Sequence, residues 1–425
     1  MKPGQTWRTT IVTSLAALCS LATAADICSK LNQQGITIEN RLTIPFLNVL
    51  QDYWSTACGD LRPTCIASPK SALEMSQIVK ELHDIDTLFA VKSGGHMPNN
   101  GFASIQDGLL IATQNLNNVI YNAEDQTAII GPGLSWEDAQ KGLDGTGRTL
   151  VGGRLGGVGV WGGNYVFSAD KTPQVLEAIR DFTENYPDDK AAIIVTAEHA
   201  ALINTWIMFL FYDGPEPPQG VFDGFKAIGP LDTTKTWDSY YDLSQLKNND
   251  FFILKGQRYT IATETTPVPN KTVGAEVMQT YYDHWFNITN TVLGVPNMIG
   301  SIAFQPMPRT IAQKAQARGG DLINFPTDQD YLVIELDFSY GLSASDEKID
   351  AANKNLFNGF DRIISNYIDE GVLPDVYRPL FMNDANYAQD YWARLGSTEQ
   401  AREVRKKYDP ELFFQKRTSG GFRLG

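Results

Sequence analysis

The chain has 425 residues, 43% hydrophobic and 20% charged, enough for two domains with cores of ordinary globular composition. Its 49 acidic against 35 basic residues give a formal charge of −14, which argues against nucleic acid and anionic membrane surfaces, because both are met by basic patches. The four histidines and four cysteines show no CxxC or HxxxH spacing, so no metal site is expected.

At the start, Lys2 and Arg8 precede an apolar run from Ile11 to Leu21 and the small-x-small site Ala22-Thr23-Ala24. This predicts a secretory signal over 1–24, too short to span a bilayer, and a secreted protein with no later membrane anchor. Thr64 to Ala67 reads as a strand. Ser71 and Glu74 form a capping box for a helix ending near Asp84, with Met75, Ile78, Val79 and Leu82 on one face. A strand from Leu88 to Val91 completes a βαβ unit and runs into Lys92-Ser93-Gly94-Gly95-His96. Adjacent glycines let successive N–H groups converge into a nest suited to a pyrophosphate. No helix starts at these glycines, since Pro98-Asn99-Asn100-Gly101 follows, so loop backbone and not a helix N-terminus would hold the anion.

Further strands are expected at Leu109–Ala112, near Asn118–Tyr121 and at Ala128–Gly131, then a helix capped by Ser135 that carries Ala139 and Leu143. A glycine-rich run, Val151 to Val160, comes next. Beyond it lie a helix with Val175, Leu176, Ile179 and Phe182, a β-rich run from Ala191 to Tyr212, and strands at Phe251–Leu254, Ile302–Gln305 and Leu332–Phe338. Helices near Gly274–Trp285 and Asp346–Ile368 alternate with them, which fits a large antiparallel sheet backed by helices.

The order of these motifs, with the closing segments Phe381-Met382-Asn383-Asp384-Ala385, Lys407-Tyr408-Asp409-Pro410 and Gly420-Gly421-Phe422-Arg423-Leu424, resembles a known family. It is that of secreted fungal FAD-linked oxidoreductases, the berberine-bridge-enzyme-like members of the p-cresol methylhydroxylase (PCMH) and vanillyl-alcohol oxidase superfamily. The resemblance implies an α+β chain: a signal peptide (1–24), a PCMH-type FAD-binding domain (25–163), a substrate domain (164–375) and a return to the FAD domain (376–425). It places Ser93, Gly94 and Gly95 along the FAD pyrophosphate, His96 as the covalent attachment to the flavin 8α-carbon, Gly157, Val158 and Gly159 beside the ring system, and Asn383 facing the flavin. No cysteine stands near Arg154-Leu155-Gly156-Gly157 to form the second flavin bond of many relatives. The FAD domain is incomplete. Val158-Gly159-Val160 joins directly to Trp161-Gly162-Gly163, where the family has further strands and the adenine cradle. Coding sequence dropped from a gene model or splice form, or a shortened and inactive relative, would both give such a seam.

The implied activity is oxidation of an alcohol, a sugar or a C–H or C–N bond of a secondary metabolite by hydride transfer to flavin, with O2 as acceptor. The alternative is a non-catalytic secreted glycoprotein that keeps the scaffold. Tyr387 and Tyr391, near Asn383, are candidates for the catalytic base; Asp321 either faces substrate or caps a turn. Asn270 and Asn287 head two glycosylation sequons. Of the three pairings open to Cys28, Cys58 and Cys65, a Cys28–Cys65 disulfide is expected, tying the N-terminal segment to the first strand of the βαβ unit and leaving Cys58 free.

Overall fold

The computed structural model describes residues 24–148, 150, 158–239, 242–243 and 256–425. The expected signal up to Thr23, most of the glycine-rich run including Gly157, and the strand expected at Phe251–Leu254 lie outside the described residues. Internal contacts divide the chain into a first unit, the chain up to Ala139 with Val404–Arg423, and a second, Gln140–Glu403.

In the first unit, β1 (Ile38–Asn40), β2 (Cys65–Ala67), β3 (Phe89–Lys92) and β4 (Leu109–Ala112) form a sheet of order β1-β2-β4-β3. β2 and β3 both pair in parallel with β4, so they are not neighbours: the expected βαβ unit is split by a third strand. Its helix, Ala72–Asp84, starts at Ser71, whose hydroxyl accepts from Glu74 N at 3.2 Å. Glu74 reaches back one residue further than a standard box, accepting from Lys70 N at 2.8 Å. Ile78 and Leu82 of this helix pack with Ile27, Leu31, Phe89, Leu109 and Ile111. The Cys28–Cys65 disulfide joins the 24–33 helix to β2 within that core, and Cys58 is a buried free thiol. Across a sequence separation of 37 residues such a link is worth about 3–4 kcal/mol in the chain-entropy model.

The end of the chain closes this unit. Thr418 bridges Phe89 in parallel fashion, Ser419 N donates to Phe89 O at 2.9 Å, and Phe413 stacks on Phe89. Ser419 Oγ donates to the carbonyls of Gly101 at 2.5 Å and Ser104 at 3.1 Å. Glycine is required at position 420, because a Cβ there would overlap the Gly101 carbonyl oxygen. By contrast, β5 (Val119–Asn122) and β6 (Thr127–Ile130) make an isolated two-stranded ribbon. Its cross-strand partners Ile120 and Ile129 are 56% and 67% exposed while Val119, Tyr121, Ala128 and Ile130 are half-buried, so one face is open to solvent and the ribbon is marginal by itself.

Among the described residues the second unit holds eight strands: β7 (Val158–Ser168), β8 (Ala191–Ala200), β9 (Ile203–Tyr212), β10 (Leu231–Asp232), β11 (Lys235–Ser239), β12 (Arg258–Pro267), β13 (Ile299–Met307) and β14 (Tyr331–Tyr340). They pair antiparallel in the order β10-β7-β9-β8-β13-β14-β12, with β11 also on β7. The Val160–Trp161 junction lies inside the single strand β7, with Val160 opposite Trp237 and Trp161 opposite Thr236 and Tyr212. Helices Thr172–Glu184, Gly274–Asn290 and Asp346–Asp369 bring Val175, Ile179, Met278, Trp285, Leu356 and Phe360 into one core with Trp206, Ile302, Ile334 and Leu336 of the sheet.

Segment 376–403, expected to return to the first domain, packs instead on the second unit, and the return starts at Val404. The cause is the open edge of β12, whose backbone needs partners on the side away from β14. Gln389 supplies both, donating to Thr263 O at 2.7 Å and accepting from Thr263 N at 3.2 Å, while Asn386 Nδ2 donates to Ile261 O at 2.7 Å. Arg394 pairs with the buried Glu264 at 2.5 Å.

Helix Asp346–Asp369 meets Gly274–Asn290 where Gly359 faces His284. The His284 ring donates from Nε2 to Leu356 O at 2.9 Å and occupies the space a Cβ on residue 359 would take. Gly359→Ala is therefore expected to lower stability by about 1–3 kcal/mol through overpacking, against the gain of about 1 kcal/mol that helix propensity alone would give. A chemical denaturation curve decides it, and a variant more stable than the wild type would show that the ring yields freely.

Candidate functional site

The Ser93-Gly94-Gly95-His96 loop is built by the residues on which it rests. Tyr53 is buried, and its hydroxyl donates to Ala103 O at 2.6 Å. Its ring lies 5.1 Å from the Lys92 ammonium, a cation–π contact beneath the loop. Lys92 is 3% exposed, with Nζ donating to Ser93 O at 3.3 Å and lying 3.5 Å from Asp52. Gly95 has φ +71, and a Cβ there would come within 2.8 Å of Lys92 Cε and 3.2 Å of Tyr53, so any side chain at position 95 would be strained and crowd both residues. Gly94 is exposed with open space where its Cβ would be, and Ser93 Oγ donates to Pro132 O. The result is a bare backbone surface over a buried cation.

This surface fits the middle of FAD. An approaching diphosphate would meet main chain without side-chain obstruction, and Lys92 beneath it supplies positive charge in a partly desolvated setting. His96 is exposed directly after the loop, its ring stacked on Trp54 with centroids 4.8 Å apart and planes 20° apart.

Of the other residues singled out in the sequence, Val158 and Gly159 open β7, with Val158 opposite Ser239, and so belong to the large sheet of the second unit. Asn383 is exposed in a turn of the same unit. Tyr387 is exposed, its hydroxyl donating to Asp350 and accepting from Lys354, both at 2.9 Å. Tyr391 is buried against Trp392, and burial raises its hydroxyl pKa, which weakens it as an acceptor at neutral pH. Asp321 caps a turn, accepting from Asn324 N at 2.8 Å. It also lines a small cavity of about 120 Å³ with Met307, Ile311, Phe325 and Phe381.

A group of carboxylates went unnoticed in the sequence. Leu332, Ile334, Leu336 and Phe338 of β14 face the helix-covered core, so Glu335, Asp337 and Ser339 occupy the opposite face. The register sets Ser301 of β13 opposite both Asp337 and Glu198 of β8, and Ala303 opposite Glu335. Glu198, Ser301 and Asp337 thus form one row across three strands. Ser301 Oγ donates to Glu198 at 2.6 Å, and Gln305 Nε2 donates to Glu335 at 3.0 Å and to Asp384 at 2.9 Å. Loss of water pushes the Glu198 carboxyl up to about 7. Burial first, then the neighbouring Glu335 charge, hold Asp337 well above the usual carboxylate range. The signal available in sequence was two carboxylates at i and i+2 within the apolar run Leu332–Phe338.

Comparisons with known proteins bear on both units. A family of FAD binding domains matches residues 63–164. An uncharacterized FAD-linked oxidoreductase of Arthroderma benhamiae is 36% identical over 500 residues, covering 98% of this chain and 99% of the relative. Since 98% of 425 residues is about 417, at least about 80 of those 500 aligned positions (500 − 417) have no counterpart here. Among solved structures, the xylooligosaccharide oxidase from Myceliophthora thermophila in complex with xylobiose aligns at TM-score 0.70 and 12% identity, over 92% of this chain and 98% of that one. Berberine bridge enzyme from Eschscholzia californica aligns at TM-score 0.63 and 13% identity, over 93% of this chain and 99% of that one.

Proposed function

The chain belongs to the FAD-linked oxidoreductases, and from that premise we propose that Ser93, Gly94 and Gly95 bind the FAD pyrophosphate, with His96 as the point of covalent attachment. The bare loop over buried Lys92 is the observation that carries this reading. Bound FAD supplies a two-electron acceptor for hydride, with O2 as the terminal oxidant. Substrate binding is assigned to the second unit, where Glu198 and Asp337 are the carboxylates best suited to hold or accept a proton. Their row replaces Tyr387 and Tyr391 as the leading source of a base, because the Tyr387 hydroxyl is engaged by Asp350 and Lys354 and Tyr391 is buried. The substrate is an alcohol, a sugar or a C–H or C–N bond of a secondary metabolite; the oligosaccharide oxidase among the structural neighbours supports a sugar.

The same reading makes the protein an exported one. The Cys28–Cys65 disulfide supports an oxidising compartment, and no helix among the described residues is long and apolar enough to cross a membrane. Asn270, exposed in the turn before helix Gly274–Asn290, is the better glycan site. Asn287 lies within that helix and Thr289 of its sequon is buried.

A second reading is favoured by the exposed Ile120–Ile129 pair and by the roughly 80 aligned positions without counterpart. In it, the segment absent after Val160 leaves this form a scaffold with little usable flavin. An absorption spectrum of the purified protein separates the two readings. In the form with a relative's segment restored after Val160, flavin bands that survive acid precipitation are expected to vanish from the precipitate of His96→Ala, and colour persisting there would refute the attachment role of His96.

A further inference from the structure

We propose that Trp54 is a positioning residue for His96, holding the imidazole in one ring orientation so that its outer edge is presented for attachment. The inference rests on the reading of His96 as the attachment point and goes beyond it by naming what orients the ring.

The two residues are 42 positions apart in sequence, and independent anchors bring them together. Trp54 N donates to Gly95 O at 3.0 Å, which fixes the Trp54 backbone against the loop without using its side chain. On one side, the Tyr53 ring lies under Gly95 and Lys92; on the other, buried Ser55 precedes the short helix Thr56–Gly59. The indole is thereby held as a half-buried plate, and the His96 ring lies on it at 4.8 Å and 20°. A histidine side chain has several χ1 and χ2 wells open to it in general. A stacked partner of this kind favours one of them by about three- to tenfold.

Orientation matters because the attachment needs one specific nitrogen on one specific carbon. The bond joins an imidazole nitrogen to the flavin 8α-carbon, breaking the imidazole N–H and one C–H of the 8-methyl group. The two protons and two electrons released leave with dioxygen as hydrogen peroxide. Trp54 takes no part in these bonds. Its contribution is the fraction of time during which the ring is correctly placed.

The test uses the full chain, Trp54→Leu, Trp54→Phe and His96→Ala, each with and without the missing segment restored after Val160. The first readout needs no flavin: in histidine-labelled protein the four imidazoles give few signals, and that of His96 should carry an aromatic ring-current shift. Trp54→Leu should abolish this shift and leave the other three histidines unmoved, which also certifies the fold. Trp54→Phe should retain most of it. With FAD in excess, the rate at which acid-stable flavin appears should fall about three- to tenfold in Trp54→Leu and recover in Trp54→Phe.

Attachment in Trp54→Leu at the wild-type rate, with the His96 signal shifted, would overturn the positioning role while leaving His96 as the attachment point. Acid-stable flavin persisting in His96→Ala, or absent from the restored wild type, would instead remove the attachment reading, and the ring-current shift of Trp54 on His96 would remain to tell the two failures apart.

Discussion

The 425-residue chain should leave purification with far less than one equivalent of FAD, and a version carrying a relative's segment after Val160 should retain it. On the proposed reading, Gly95 in its left-handed conformation, open Gly94 and buried Lys92 would hold the middle of the cofactor. The two ends of so long a ligand need cover as well. Leaving about 100 Å² of apolar surface wet at each end forfeits about 5 kcal/mol, at about 25 cal/mol per Å², or between three and four orders of magnitude in Kd. The paired Ile120 and Ile129 also leave one face of the β5–β6 ribbon turned to solvent. Flavin absorbance per chain after desalting, flavin titration, and peroxide release across alcohol, sugar and alkaloid panels measure the difference. Equal occupancy and turnover in the two forms would show that nothing essential is missing.

What could be read from the sequence followed the range of the interaction involved. The helix Ala72–Asp84 announced itself through Ser71 and the spacing of Ile78 and Leu82, because caps and periodicity act within a few residues. The Cys28–Cys65 link was foreseeable because three cysteines leave few choices. Strand β12 was not foreseen. Its run Arg258-Tyr259-Thr260-Ile261-Ala262-Thr263-Glu264-Thr265-Thr266-Pro267 shows no apolar alternation, and it is stabilised by Gln389 and Asn386 from over a hundred residues away. The insertion of β4 between β2 and β3 is equally silent, since local pattern sets a strand's existence and not its neighbour. The glycine loop before His96 was legible as a motif, whereas the Trp54 plate beneath His96 and the Glu198–Ser301–Asp337 row depend on backbone positions that only the folded chain brings side by side.

That row has a thermodynamic consequence of its own. The Glu198 carboxyl, ordinarily near 4.5, titrates in the fold at about 7, and Asp337 is held well above its ordinary 3.8. In both cases the folded state binds the proton more tightly than the unfolded chain. Their contribution to stability is therefore complete below about pH 4 and is lost as pH rises through the folded values. Stability should fall between about pH 4.5 and 7, by on the order of 2–3 kcal/mol from Glu198 alone. Glutamine at position 198 can still accept from Ser301, so Glu198→Gln should leave stability unchanged at pH 4.5, raise it at pH 7.5 and flatten the slope between. Asp337→Asn should act in the same direction. If these carboxylates take the proton released on substrate oxidation, the same variants lose turnover by about 10²- to 10⁴-fold in the flavin-loaded, segment-restored protein. Stability gained and activity lost at one position is the expected signature of a group kept for chemistry at the expense of folding. Denaturation curves at four pH values, set beside steady-state rates, test both halves. A wild-type stability that is level from pH 4.5 to 7, or a Glu198→Gln variant weaker than the wild type at pH 7.5, would show that the row is ordinary sheet surface and carries no burden of buried charge.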